Sequence, residues 1–243
     1  MCTVTFIPAD GRAFITHSRD EKSVRPAALP PQLHELSNCR VLYPKDGAAG
    51  GSWIAMNDHG NAAVLLNGAF KKHLPLPPYR KSRGLSFLEI MAAGDIIKGY
   101  QSADLNGIEP FTVILYNGEE LLECRWDAMK KHITKLNPQE PHIWSSVTLY
   151  DPKAIEKRRS WFRGWLQSGS VQSADEIVSF HLTGGDGDKS NDICMNREGL
   201  LLTVSVTGME IAAGAGTMTY IDLINNGKYK EEIEFARTSL QTI

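Results

Sequence analysis

Apolar side chains alternate with small or polar ones in two short runs at the start of the chain. The runs cover residues 2–7 and 12–16, and the turn-forming residues at 8–11 separate them. Alternation with a period of two is typical of strands that bury one face. The pattern therefore predicts that the chain opens with a β-hairpin.

Several further segments have the composition of short strands. The prolines of Arg25-Pro26 and Leu29-Pro30-Pro31 instead predict an irregular stretch, because proline lacks an N–H donor and restricts the residue before it. Asn117-Gly118 is a strong signal for a hairpin turn between two such runs. Strands are predicted at 40–43, 52–56, 61–66, 111–116, 119–126, 130–135, 142–148, 200–206, 217–223 and 229–236.

Three segments have the spacing or the capping residues of helices. Residues 84–102 predict an amphipathic helix that is interrupted at Gly94. Asp151-Pro152 predicts a helix start, with the helix continuing to Gln167. The capping-box spacing that begins at Ser173 predicts another helix directly afterwards.

The order of these elements indicates the fold class. Strands and helices follow one another in groups and do not alternate regularly. This order argues against a parallel sheet and favours an α+β fold in which helices cover antiparallel sheets. A length of 243 residues suits one domain over residues 1–243.

Composition and charge exclude several classes of protein. The 26 basic and 28 acidic residues are well mixed, so neither nucleic acid nor an anionic membrane is an expected partner. No apolar run approaches the roughly 18 to 20 residues of a transmembrane helix, and the N-terminus lacks a signal-peptide pattern. We therefore expect a cytoplasmic protein, and no feature of the sequence specifies its oligomeric state.

No metal or cofactor is expected. The four cysteines are too scattered for a zinc or redox motif and are expected to be reduced thiols. The glycine- and aspartate-rich segment at 184–192 lacks the spacing of a calcium-binding EF-hand loop, so a solvated loop is favoured.

The predicted hairpin brings chemically useful side chains together. A two-residue loop at Asp10-Gly11 would place Cys2 opposite Arg19, whereas a four-residue loop would place Cys2 opposite His17. Either register brings the segment 18–21 beside Cys2, since opposed residues on a sheet lie about 4.5 to 5.5 Å apart. A thiol, a guanidinium and carboxylates thus converge at one end of the hairpin.

Removal of Met1 would give Cys2 a free α-amine next to its thiol. An α-amine has an ordinary pKa of about 7.7 to 8.0, so it can accept the thiol proton near neutral pH. Arg19 would favour the thiolate, and Asp20 could hold the amine or the guanidinium. The alternative is that Cys2 is merely a small residue at the start of a buried strand, and that 19–21 is a charged turn.

The sequence resembles the NRDE family, which is named after an Asn-Arg-Asp-Glu motif and includes the Transport and Golgi organisation proteins. The resemblance is clear over roughly the first 125 residues. It differs at Ser18, where the family has asparagine, and a hydroxyl offers one donor against the two of an amide. The matching residues are Met1-Cys2-Thr3-Val4-Thr5-Phe6, Ser18-Arg19-Asp20-Glu21, Arg25-Pro26, Gly50-Gly51-Ser52-Trp53, Gly60, Leu66-Asn67 and Ser82-Arg83-Gly84.

This resemblance implies the αββα sandwich of N-terminal-nucleophile hydrolases, similar to the choloylglycine hydrolase and penicillin V acylase group. Cys2 would be the nucleophile, with Arg19 and Asp20 as its support. Asn67 is a candidate donor to the oxyanion that forms during attack, although an ordinary asparagine-glycine turn is the alternative. The residues expected to contact substrate are His17, Ser18, Trp53 and, from the C-terminal half, Arg197.

The function implied is that of a cysteine hydrolase or acyltransferase, which acts on a small-molecule non-peptide amide or acyl substrate through a thioester on Cys2. The alternative is a noncatalytic binding or trafficking protein of the same fold that handles lipid or haem. The sequence has no CxxCH motif of the kind that attaches haem.

Two predicted helices contain aromatic, basic or histidine residues that could belong either to a binding site or to ordinary structure. On the helix from Pro152, the three aromatic residues 161, 162 and 165 are expected to be core, and the basic run 157–159 is expected to be a solvated face. His181, at the end of the following helix, could line a site. It is also simply compatible with the helix dipole there.

Overall fold

Fourteen strands and four helices make up the part of the chain that the computed structural model describes, which is residues 2–37, 39–169, 171 and 173–236. In chain order the strands are β1 (Cys2–Ala9), β2 (Arg12–Lys22), β3 (Leu29–Leu36), β4 (Cys39–Lys45), β5 (Ile54–Asn57), β6 (Ala62–Asn67), β7 (Phe111–Tyr116), β8 (Leu121–Trp126), β9 (Lys131–Leu136), β10 (His142–Ser145), β11 (Asn196–Arg197), β12 (Leu201–Ala212), β13 (Ala215–Asp222) and β14 (Gly227–Glu234). The helices are α1 (Arg83–Met91), α2 (Ile96–Ser102), α3 (Pro152–Gln167) and α4 (Ala174–Thr183).

The strands form two antiparallel sheets. The first has the order β10-β1-β2-β12-β13-β14, with β11 paired to β12, and the second runs from β3 to β9 in chain order. Helix α4 packs on β2 and β12 of the first sheet, and α1 packs on β5 and β6 of the second. This is the αββα sandwich, so the expected α+β class with antiparallel sheets is confirmed.

The β1–β2 hairpin has the two-residue loop. Asp10 and Gly11 both have positive φ angles, of 50° and 72°, which suits the tight turn that joins twisted antiparallel strands. Cys2 is consequently paired with Arg19, and the register continues in step to Ala9 and Arg12. Of the two registers open from the sequence, the structure has the one with Cys2 opposite Arg19.

The two faces of the first sheet pack against different layers. Val4, Phe6 and Ile15 point into the core between the sheets. Ile7 and Phe14 point the other way and belong to a second apolar cluster under α3 and α4. That cluster contains buried Phe162 and the partly buried Trp161 and Trp165, so the expectation that these aromatic residues are core is confirmed.

Local signals placed the helices well. Asp151 caps α3 by accepting a hydrogen bond from the backbone of Ala154, and Ser173 with Glu176 forms the expected capping box of α4. Helices α1 and α2 are separated around Gly94, which is the predicted interruption. In the described residues no helix is long and apolar enough to cross a membrane.

One prediction about the strands was wrong. Leu29-Pro30-Pro31 was expected to be irregular, but these residues begin β3. This strand lies at the edge of its sheet, and its register with β4 shifts between Leu29 and Gln32. Proline is tolerated there because an edge strand leaves one row of backbone groups without a ladder partner.

Candidate active site

Cys2, the first described residue of β1, lines a cavity of about 140 Å³ between the two sheets. The residue is only 4% exposed, and Arg19, its partner across the hairpin, lines the same cavity. The other lining residues are Glu21, Arg25, Asp46, Ala49, Gly51, Ser52, Trp53, Leu65, Asn67, Ser82, Arg83 and Gly84. The cavity thus gathers residues from both sheets and from the start of α1.

Arg19 is held rigidly in the cavity wall. Its Nη2 lies 2.5 Å from Oδ2 of Asp46, and its guanidinium carbon lies 4.3 Å from the ring centroid of Trp53. Arg25 binds the same carboxylate through Nε and Nη2, at 3.0 and 2.8 Å. Burial alone would raise the pKa of Asp46, but the hydrogen bonds from Arg25 and Ala49 and the charge of Arg19 hold it below its ordinary value.

The thiol of Cys2 is not ionised by its surroundings. Burial raises the pKa of Cys2, and the negative charge of Asp20 raises it further, whereas Arg19 opposes the shift. A thiol in this environment stays protonated at neutral pH unless a base takes its proton. Any nucleophilic role for Cys2 therefore requires a base next to the sulfur.

Arg83 and Asp46 are cavity residues that were not among the predicted site residues. Arg83 is the first residue of α1, and its Nη2 lies 3.1 Å from Oε2 of Glu109. Burial lowers the pKa of Arg83, while Glu109 opposes that shift. The matching segment Ser82-Arg83-Gly84 could have pointed to Arg83, whereas no sequence pattern marked Asp46.

A close contact between two glycines lets α1 form one wall of the cavity. A side chain on Gly51 would place its Cβ only 2.4 Å from the carbonyl carbon of Gly84. Glycine at position 51 therefore permits the loop before β5 to lie directly against the start of α1.

Asp20 lies on the opposite face of the first sheet and does not line the cavity. Its Oδ2 accepts a hydrogen bond of 2.6 Å from the phenol of Tyr150, and its Oδ1 accepts one of 2.7 Å from Thr203. Burial raises the pKa of Asp20, and Arg158, Tyr150 and Thr203 all oppose that shift. Because Asp20 follows the partner of Cys2, it lies behind the sheet at the amino end of β1.

Arg158 is the buried cation of this network. It is 0% exposed, its guanidinium carbon lies 3.5 Å from the ring centroid of Tyr150, and it donates hydrogen bonds to Thr3 Oγ1 and to the carbonyl of Asn191. The prediction that residues 157–159 form a solvated face was therefore wrong for Arg158. The reason is helical periodicity, since position 158 lies four residues from both Ala154 and Phe162, the buried positions of α3.

Ser18 also faces the helices. Its Oγ lies 2.7 Å from Nδ1 of His181, and Thr5 Oγ1 lies 2.9 Å from Nε2 of the same ring. Burial lowers the pKa of His181 to about 3, so this imidazole is neutral at physiological pH. The structure does not bring Ser18 or His181 to the cavity, and His181 does not act as a cation at the helix terminus.

The remaining predicted site residues are distributed between three places. Trp53 and Asn67 line the cavity with Cys2. His17 is buried on the same sheet face as Arg19, 6.4 Å from Trp53 between ring centroids, but outside the cavity lining. Neither ring nitrogen of His17 has a hydrogen-bond partner in the described structure. Arg197 lies elsewhere, where its Nε donates to the carbonyl of Ser190.

Ser146 joins Cys2 to Asn67. Its backbone N–H donates to the carbonyl of Cys2 at 2.9 Å, and its hydroxyl donates to the carbonyl of Asn67 at 2.8 Å. This residue directly follows β10, so the end of β10 fixes the position of the end of β6 relative to the start of β1. In the described ranges no group of three or more histidine, cysteine or acidic side chains is arranged to hold a metal ion.

Several solved structures have a similar fold. A cysteine-to-alanine variant of conjugated bile acid hydrolase from Clostridium perfringens matches with a TM-score of 0.59, 12% sequence identity, and coverage of 98% of this chain and 98% of that one. Penicillin V acylase from Agrobacterium tumefaciens matches with a TM-score of 0.56, 10% identity, and coverage of 95% and 85%. The Caenorhabditis elegans ortholog of N-acylethanolamine-hydrolyzing acid amidase matches with a TM-score of 0.54, 12% identity, and coverage of 86% and 92%.

These neighbours are N-terminal-nucleophile hydrolases, so the fold expected from the resemblance is confirmed. At identities this low, the likeness extends to the fold alone. No curated protein matches the sequence. The model of one family, Transport and Golgi organisation 2, matches residues 1–198. The chain therefore belongs to the Transport and Golgi organisation 2 family.

Proposed function

We propose that the protein is a cysteine N-terminal-nucleophile hydrolase or acyltransferase that acts on a non-peptide amide through a thioester on Cys2. The observation that carries this proposal is the direct pairing of Cys2 with Arg19 in the cavity that Asn67 also lines. The structural neighbours, which are named as a hydrolase, an acylase and an acid amidase, support it further.

The α-amine of Cys2 supplies the base that the buried thiol needs. Removal of Met1 frees this amine, whose ordinary pKa of about 7.7 to 8.0 lets it accept the thiol proton near neutral pH. Arg19 then stabilises the resulting thiolate by its charge.

Asp20 positions the amine from the other side of the sheet. It lies behind the amino end of β1, and the hydroxyls of Tyr150 and Thr203 fix both carboxylate oxygens. A negative charge held there stabilises the protonated amine that forms when the thiol loses its proton. In this proposal Arg19 acts on the sulfur of Cys2 from one face of β2, and Asp20 acts on the amine of Cys2 from the other face.

The reaction has two balanced halves. The thiolate attacks the carbonyl carbon, and the Asn67 amide donates a hydrogen bond to the oxyanion of the tetrahedral intermediate. The ammonium of Cys2 passes its proton to the leaving nitrogen, the C–N bond breaks, and a thioester remains. The amine then takes a proton from water, which attacks the thioester and releases the acid with the free thiol.

The size and charge of the cavity restrict the substrate. Its volume of about 140 Å³ lies below the roughly 300 to 1,000 Å³ that encloses a typical small ligand. The cavity therefore holds the reacting amide, and the rest of the substrate lies outside it. Arg19 and Arg25 are paired with Asp46, and Arg83 is paired with Glu109, so the wall favours a neutral group.

The test combines intact mass with hydrolysis of a panel of N-acyl amides. We expect the purified protein to lack Met1 and to hydrolyse at least one acyl amide, with a loss of at least about 1,000-fold in Cys2→Ala. Cys39→Ala, which changes a cysteine of β4 outside the cavity, should retain the wild-type rate. Retained Met1 together with an unreactive Cys2 would favour the noncatalytic binding protein instead.

A further inference from the structure

A second cavity, of about 600 Å³, is much larger than the one at Cys2 and shares no lining residue with it. It lies between α3, the segment after β6 and the loop that joins β10 to α3. Its volume falls within the range of sites that enclose a small organic ligand. The lining residues are Phe70, Lys71, Lys72, Val147, Thr148, Leu149, Tyr150, Asp151, Pro152, Ile155, Arg159, Asn191 and Arg197.

Positive charge predominates in this cavity. Four lining side chains are cationic, and Asp151 is the one acidic residue among them. Asp151 already accepts the backbone N–H of Ala154 at the start of α3. The excess of cations stands out because the whole chain has a formal net charge of −2.

One of these cations, Arg159, lies 3.5 Å from Glu156, whereas the other three have no acidic partner in the described ranges. Arg197 donates to neutral acceptors, which are the carbonyls of Ser190 and Leu149 and the side-chain oxygen of Asn191. Within the described ranges, neither Lys71 nor Lys72 has a carboxylate within ion-pair distance. The cavity wall therefore carries charge that an anionic ligand can satisfy.

Beside the cations, the cavity has an apolar wall. Phe70 is 56% exposed, although it is a large hydrophobic residue, and one of its neighbours is the guanidinium of Arg125 at 4.9 Å from its ring centroid. Val147, Leu149 and Ile155 extend the apolar surface into the cavity. A concave surface that is apolar in one part and cationic in another suits a ligand with both properties.

We infer that this cavity binds a single molecule of an anionic amphiphile. Its hydrocarbon part lies against Phe70, Leu149 and Ile155, and its carboxylate or phosphate group lies among Lys71, Lys72 and Arg197. A single molecule fits better than a membrane surface, because the cations line a concave cavity of limited volume. The site goes beyond the proposed reaction, since none of its residues lines the Cys2 cavity, although Tyr150 in its wall also donates a hydrogen bond to Asp20.

Calorimetric titration of the full chain tests this site, with decanoate, decyl phosphate, decanol and inorganic phosphate as probes below their aggregation concentrations. Both anionic decyl compounds should bind at least tenfold more tightly than decanol, and inorganic phosphate should not bind measurably. Equal affinity for decanol, or binding of inorganic phosphate alone, would overturn the proposal.

Matched variants locate the binding. Lys71→Glu with Lys72→Glu should weaken both anionic probes at least tenfold, and Phe70→Ser should weaken them without affecting the preference for an anion. The control pair Lys228→Glu with Lys230→Glu lies on β14, outside the cavity, and should bind as wild type. Equal losses in both double variants would contradict the site.

Two further measurements distinguish this site from the Cys2 cavity and from a membrane-binding surface. Cys2→Ala should bind the decyl probes with unchanged affinity, so the site stands even if the Cys2 chemistry fails. The protein should not sediment with phosphatidylglycerol vesicles more than Lys71→Glu with Lys72→Glu does. Sedimentation that depends on these lysines, without binding of monomeric decyl probes, would show that the cations serve a membrane surface instead.

Discussion

The two faces of β2 carry neighbouring residues of one short motif but place them in different environments. Arg19 faces the cavity between the sheets, where Asp46 and Trp53 hold it. Ser18 and Asp20 face the helices and are completely buried. The comparison indicates that one strand can present reactive groups on one side and anchor them from the other.

The two faces also differ in how strongly the removal of one charged side chain should affect stability. On the cavity face, Asp46 is bound by two arginines and two backbone N–H groups, so no single side chain neutralises it. On the helix face, Arg158 is the buried cation beside Asp20, and solvent cannot replace it. We therefore expect the larger stability effects on the helix face and the larger reactivity effects on the cavity face.

The largest expected stability effect comes from removing the buried cation. Arg158→Met removes the buried charge that opposes the raised pKa of Asp20, together with the hydrogen bonds to Thr3 and Asn191, which should lower the free energy of unfolding by about 3 to 5 kcal/mol. Arg163→Met is the matched control on the same helix, because Arg163 is 65% exposed and its ion pair with Glu156 is worth at most about 1 kcal/mol. Urea denaturation measures both, and equal losses would contradict the difference between buried and exposed cations.

A smaller loss is expected where Ser18 meets His181. Ser18→Ala removes the partner of a buried ring nitrogen, which should cost about 1 to 3 kcal/mol of unfolding free energy. Ser102→Ala removes an exposed hydroxyl at the end of α2 and should cost much less. Both variants should leave the alkylation rate of Cys2 unchanged, and a slower rate in Ser18→Ala alone would connect the helix face to thiol reactivity.

The cavity face should respond in reactivity. Arg19→Met removes the cation that opposes the raised pKa of the Cys2 thiol, so the thiolate fraction at pH 7 should fall. We expect alkylation of Cys2 by iodoacetamide to slow by up to about tenfold, because less of the thiol is ionised. Peptide mass mapping identifies the alkylated residue. The control is Arg40→Met, because Arg40 does not line the cavity and pairs with Asp58. Unchanged kinetics in Arg19→Met would remove Arg19 from the proposed role.

The helix face should also show a pH dependence, which builds up gradually over several pH units. The pKa of His181 falls to about 3 in the folded protein, so the neutral ring contributes full stability above its unfolded value of about 6.5. This contribution is lost as the pH falls from 6.5 towards 3, by up to about 1.4 kcal/mol per pH unit. Burial also lowers the pKa of His17 well below its ordinary value, in the same direction.

Unfolding free energies between pH 4.5 and 7 check this dependence. His181→Gln should reduce the slope by about half, since His17 remains, and His59→Gln should keep the wild-type slope because His59 is 44% exposed on its side chain. An unchanged slope in His181→Gln would mean that the buried ring does not control the acid sensitivity.

Most of the secondary structure could be predicted from local sequence patterns. Alternation and the Asp10-Gly11 turn narrowed the hairpin to two registers, one of which is present, and capping residues marked the start of α3 and α4. These features depend on residues close together in sequence. The αββα arrangement itself was expected from the family resemblance, whereas the grouping of strands and helices predicted only antiparallel sheets covered by helices.

The residues that complete the cavity wall could not be predicted from local sequence patterns. Asp46 and Arg83 reach Cys2 only because the second sheet and α1 stack against the first sheet in one particular way. Asp20 could have been assigned to the helix face from the alternation of β2, since Arg19 occupies the other face. Arg158 also carried a signal, because its spacing from Phe162 matches the buried side of α3.

The most direct test of Cys2 as the nucleophile is a mass measurement on protein that is quenched during turnover. A sample mixed with an N-acyl amide and quenched in acid should contain a species that lacks Met1 and carries one acyl group on the peptide that begins with Cys2. Cys2→Ala should form no such species. A chain that keeps Met1, or an acyl group found on any other residue while the substrate is consumed, would contradict the assignment of Cys2 as the nucleophile.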